Sequence, residues 1–144
     1  MNPTALRFLM SCSLVFVGCG LDDQGISGVQ GTVLINGSAA PEGTIIGFSN
    51  IANESDAFMT PVDSDGKYQY RPPKEIVLPL GEYRIVVIPK RRQTEMGPNF
   101  IAKDVPIPGA PASYGKYSEV QTSDLKTEIT SSQTVTFDID IVSP

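Results

Sequence analysis

The chain is 144 residues long, which is room for one ordinary domain and not for two. Apolar residues make up 40%, with 13 Gly and 12 Pro, a composition that suits a turn-rich globular chain and excludes a disordered one. The net charge of −5 argues against nucleic acid as a partner, and the lack of any His removes the usual general base at neutral pH and the commonest metal ligand.

In chain order, residues 1–18 are predicted to be an export signal. Arg7 and the amino terminus form a small positive region, and Phe8 to Val17 is a ten-residue, mostly apolar run. As a helix that run rises about 15 Å, half of a ~30 Å hydrocarbon core, so it is too short to span a membrane. It ends in Gly18-Cys19, where an ordinary signal ends in an A-x-A-like site. The junction resembles a bacterial lipobox, with Phe16 standing where Leu is usual. That resemblance implies cleavage before Cys19 and lipidation of its thiol; the alternative is a plain signal and a secreted product. Cys12 would leave with the signal and Cys19 would be capped, so the mature chain would hold no free thiol and no disulfide, as suits an oxidising compartment. The expected location is the bacterial cell envelope, with the lipid in the outer membrane or at a periplasmic face. Residues 19–27 are polar and Gly-rich and read as a flexible tether.

From residue 28 to 144 the hydrophobic period is two, as in strands. The segment GVQGTVLING sets Val29, Val33 and Ile35 on one face and Gln30 and Thr32 on the other, and Asn36-Gly37 is a turn signal. Further strands are predicted at 44–49, at 56–63 (an edge or a break, because of Pro61), at 67–70 and at 82–88. The segment EYRIVVI is apolar on both faces towards its end, as a central strand is. After a Pro-rich connection at 89–116, with one short strand at 99–103, TEIT and TVTFDIDIV complete the set. In the last of these, Val135, Phe137, Ile139 and Ile141 face one way, and Thr134, Thr136, Asp138 and Asp140 the other. Short strands at this spacing predict an all-β, antiparallel sandwich.

The motifs carry little chemistry. In Asp63-Ser64-Asp65-Gly66 an EF-hand would put its first and last ligands at Pro61 and Pro72, so no calcium loop forms. Asp63, Asp65 and Gly66 are instead expected to build a tight hairpin turn between 58–62 and 67–71. Lys90, Arg91 and Arg92 form the basic cluster, and Tyr114 and Tyr117 flank Gly115-Lys116; these five are the candidate partner contacts, set against a plain solvated loop and rings that pin it. Asp138 and Asp140 lie about 7 Å apart on one strand face, a spacing glycoside hydrolysis could use, but a solvated face would not raise either pKa. No catalytic set, metal site or cofactor site emerges.

The order V-x-G-x-V-x-x-N-G, T-I-I-G-F, D-S-D-G-K-Y, G-E-Y-R-I-V-V, K-Y-S-E-V-Q-T-S-D-L-K-T-E-I and F-D-I-D-I resembles the small transthyretin-like, carboxypeptidase-regulatory-like lipoproteins of planctomycete-type bacteria, over residues 28–141. The resemblance implies a seven- or eight-stranded Greek-key sandwich and no catalytic residues. The expected function is a non-catalytic envelope module held to the membrane by lipid on Cys19. Its partners would be envelope proteins or surface polysaccharide, met through the 89–116 loop or an exposed sheet edge. Two alternatives remain open: a transthyretin-like carrier of a small ligand, which predicts an oligomer, and a carboxylate-based hydrolase, which predicts a concave site with a perturbed carboxylate.

Overall fold

The computed structural model describes residues 25–97 and 102–143, so the segment expected to be an export signal, Cys12 and Cys19 lie outside the described residues. Among the described residues, eleven strands form two facing sheets and a separate hairpin. The first sheet is centred on β1 (Val29–Ile35), which pairs with β2 (Ser38–Ala39), with β5 (Lys67–Tyr70), and with β10 (Val135–Thr136) and β11 (Ile139–Ile141) in succession. The second runs β4 (Ala57–Pro61), β3 (Ile45–Asn50), β6 (Gly81–Ile88), β9 (Lys126–Ile129). Between β6 and β9 in sequence, β7 (Arg92–Met96) and β8 (Ala102–Pro106) pair, among the described residues, only with each other.

Period two explains the strands. Val29 and Val33 of β1 are fully buried, while Leu34 between Val33 and Ile35 is exposed. β6 sits between β3 and β9, and Tyr83, Ile85, Val86 and Val87 are all buried, as befits a central strand. β4 is an edge strand, the position Pro61 tolerates because it has no N–H to donate. Asn36 and Gly37 both take positive φ, 52° and 76°, the signature of a type I′ turn. Phe48 and Phe58 stack at 4.7 Å, and Phe58 stacks on Tyr70 at 4.3 Å, so the aromatic centre of the core joins the two sheets.

Four expectations change. The sandwich is not wholly antiparallel, because β10 and β11 run parallel to β1. β9 ends beside the start of β6, and the short link after it crosses to the other sheet at the end where β1 also starts; the last strand therefore runs alongside the first in the same direction. Residues 89–116 hold a two-stranded hairpin and a 3-10 turn (Gly115–Ser118), not one short strand. The arms of the turn at Asp63 do not form an extended hairpin: apart from one bridge, Val62 to Tyr68, β4 pairs in the second sheet and β5 in the first, so the turn is a corner between sheets. The tether is shorter than its composition suggests, since Ile26 is buried and its N–H donates to the Leu78 carbonyl at 2.9 Å.

The sandwich thus has two poles. Gly81, Ile129, Val135, Tyr70 and the entering chain at Gly25 lie at one. Ile35, Ile45, Ile88 and the start of the hairpin arm lie at the other, about 25 Å away along the eight residues of β6.

Candidate functional site

The outward face of the first sheet carries a shallow groove of about 580 Å³, walled on one side by Pro61 and Asp63 where β4 hands over to β5. Its floor is two rows of polar side chains fixed by strand register. Gln69, Gln30 and Thr136 form one row: the Gln69 amide nitrogen donates to the Gln30 side-chain oxygen, and the Gln30 amide nitrogen donates to the Thr136 hydroxyl, both at 3.3 Å. Lys67, Thr32 and Asp138 form the next.

Asp138 has a specific structural task. The offset between β1 and the last strand is the same before and after residue 137, so a continuing parallel ladder would send the Thr32 N–H to the Phe137 carbonyl. That carbonyl instead turns inward under Gly31 and accepts from the buried Tyr68 hydroxyl at 2.5 Å. Asp138 replaces it: one carboxylate oxygen accepts from the Thr32 N–H at 2.8 Å and from the Thr32 hydroxyl at 2.7 Å. These hydrogen bonds hold the Asp138 carboxyl below the usual carboxylate range. Burial, reinforced by the nearby Asp138 charge, pushes the Tyr68 phenol well above its ordinary value, so it stays a neutral donor.

The turn residues lie at the groove wall. The Asp63 carboxylate accepts from the amides of Asp65 (2.9 Å) and Lys67 (2.8 Å), and Gly66 takes φ 77°. Gly66 supplies the left-handed residue; Asp65 does not share that conformation. Asp140 does not line the groove, so the structure does not build a carboxylate pair there with Asp138. Among the described residues no group of three or more acidic or thiol side chains is placed to hold a metal, and no helix is long and apolar enough to cross a membrane.

The candidate contacts of the 89–116 segment are not gathered into one site. Lys90 lies over Gly43, Arg91 is exposed, and Arg92 pairs with Asp104 across the hairpin. Tyr114 is a correction: only 3% exposed, it belongs to the core and cannot meet a partner. Tyr117 is half-buried, with the Lys116 ammonium 5.0 Å from its ring centre. Lys116 itself is paired to Asp124, which raises the lysine pKa and lowers that of the aspartate. The groove residues Gln69, Thr136 and Lys67 were not singled out by sequence. Their signal was present as the polar half of the alternation, but only register shows that three strands bring those halves together.

No family model matches this chain, and no curated protein matches it. Among solved structures it is similar to BcpA, the major pilin subunit of Bacillus cereus, at 13% identity and a TM-score of 0.46, over 83% of this chain and 31% of that one. It is similar to the Bacillus anthracis TIE protein at 12% identity and a TM-score of 0.44, over 83% of this chain and 17% of that one. A DUF3823 family protein from Parabacteroides merdae shows 13% identity and a TM-score of 0.38, over 84% and 48% respectively. This chain spans less than half the length of each of these proteins.

Proposed function

We propose that this chain is a lipid-anchored, extracytoplasmic β-sandwich that works by binding or by building the envelope, with no catalytic step. The observation that carries the non-catalytic half is the state of the groove's carboxylates. Asp138 is held ionised as a backbone acceptor, the wrong direction for a general acid, and Asp63 is occupied by two turn amides. What the groove offers a visitor is amide and hydroxyl groups on a rigid sheet, with Lys67 at its side. Such a lining suits a neutral, hydroxyl-rich polymer such as surface polysaccharide, hydrogen-bonded without being cut. The anchor half rests on Gly18-Cys19 following a short apolar run, together with a mature chain that contains no other cysteine.

Two measurements test this reading. The mass of the mature N-terminal peptide from native membranes is expected to show lipid on Cys19; an unmodified terminus at another cut site would overturn the anchor. Calorimetric titration with envelope polysaccharide fragments is expected to show binding that the Gln30→Ala, Gln69→Ala double variant weakens several-fold, with the fragments recovered intact. Recovery of cleaved fragments from wild type but not from Asp138→Asn would replace the binding module with a hydrolase.

A further inference from the structure

The pole where the chain enters is unusually apolar for a surface. Ile51 (39% exposed), Ile76 (48%), Val77 (55%) and Leu80 (40%) are four of the eight exposed large apolar side chains among the described residues. They belong to one end of the sandwich. The Ile51 N–H donates to the Glu82 carbonyl at the start of β6, and Leu80 immediately precedes that strand. Val77 packs against Gly25, so tightly that a Cβ there would lie 2.5 Å from it. Arg71, whose side chain reaches Gly28, and Lys74 stand exposed at the same end.

We propose that this pole is a membrane-seating surface, on which the domain rests against a phospholipid bilayer with Ile51, Ile76, Val77 and Leu80 turned to the interface. The proposal rests on the anchor reading and adds to it the orientation of the domain. Between Cys19 and Gly25 the leash is six residue steps, which span at most ~20 Å. The opposite pole lies about 25 Å further on. The leash therefore holds the apolar pole within ~20 Å of the bilayer, a constraint the other pole does not share. It also makes seating intramolecular, at an effective concentration in the millimolar range, so that a patch too small to bind membranes alone suffices. Glu75 and Glu82 share the pole, so seating depends on the apolar side chains, while Arg71 and Lys74 can meet lipid phosphates. The hairpin arm is rooted at the far pole, so this seating leaves Lys90 and Arg91 on the side away from the bilayer.

The test uses the full lipidated protein reconstituted into phosphatidylcholine vesicles. With Cys19 capped, a single thiol introduced as Val77→Cys, or as Ser38→Cys at the far pole, takes an environment-sensitive fluorophore. The expected result is that both proteins float with the vesicles, while brominated lipid quenches the label at 77 at least threefold more than the label at 38. Floating with equal, weak quenching at both positions would overturn the seating surface and leave the anchor standing. Failure to float would overturn the anchor reading, which the N-terminal mass reports separately. A label at 77 already shielded in the unlipidated Cys19→Ser chain in detergent-free buffer would mean that the pole is covered by protein, which also overturns the proposal.

Discussion

At Gly31 two residues crowd into the space of one side chain. An added Cβ would lie 2.0 Å from the Phe137 carbonyl oxygen and 3.0 Å from the Tyr68 ring. Because the obstacle includes backbone, Gly31→Ala is expected to destabilise by on the order of 3 kcal/mol, read as a shift in the denaturant midpoint. Tyr68→Phe removes the donor that satisfies that carbonyl and is expected to cost about 1–3 kcal/mol with little change in packing. Asp138 supplies a pH dependence whose sign is fixed. Its folded pKa is depressed, so its contribution is complete above the unfolded value and is lost as pH falls through the folded one. The stability gap between wild type and Asp138→Ala should stay constant from neutral pH to about 5 and narrow below about pH 4. A gap that widened in acid would show that Asp138 does not act as an ionised acceptor.

The elements of the sandwich were legible where one face is buried and the other wet. KYQY is a strand over the residues its alternation marks, and TVTFDIDIV keeps its alternation although the ladder breaks at Phe137. The β7-β8 arm was not legible, because it is mostly exposed on both faces and therefore has no burial period; Met96 is 64% exposed. The groove was legible only by halves, since each strand shows its own polar face but not which strand lies beside it. The parallel pairing of first and last strands was hidden for the same reason: residues 29 and 135 are far apart in sequence, and nothing local records their register. An arm that pairs only with itself should contribute little to the sandwich. Replacing residues 92–106 by a short Gly-Ser linker is expected to change stability by less than about 0.5 kcal/mol. Amides of the arm should also exchange far faster than those of β6. A cooperative loss of stability on deletion would mean that the arm packs on the body in solution.

Across the whole molecule, the first strand of the domain finds the neighbour on one of its edges in the last. β1 holds β10 and β11 on one edge, and these carry Ile139 and Ile141, both at most 2% exposed, with Val135 and Phe137 packed on the same core. The two isoleucines alone represent about 3–6 kcal/mol of apolar burial, with a smaller addition from Val135 and Phe137, a large part of the ~5–15 kcal/mol total stability of a domain this size. Losing them also leaves the Thr32 N–H without its Asp138 acceptor and Tyr68 without the Phe137 carbonyl. No disulfide can compensate, because both cysteines of the chain lie before residue 20. A chain ending at Thr134 is therefore expected to lack a cooperative melt and dispersed amide resonances, although it retains every strand of the second sheet. The same dependence means that the domain cannot close until β10 and β11 are available to pair with β1. If the truncated chain instead melted cooperatively near the wild-type temperature, the second sheet would be the folding unit, and the pairing of β1 with β10 and β11 a late addition to it.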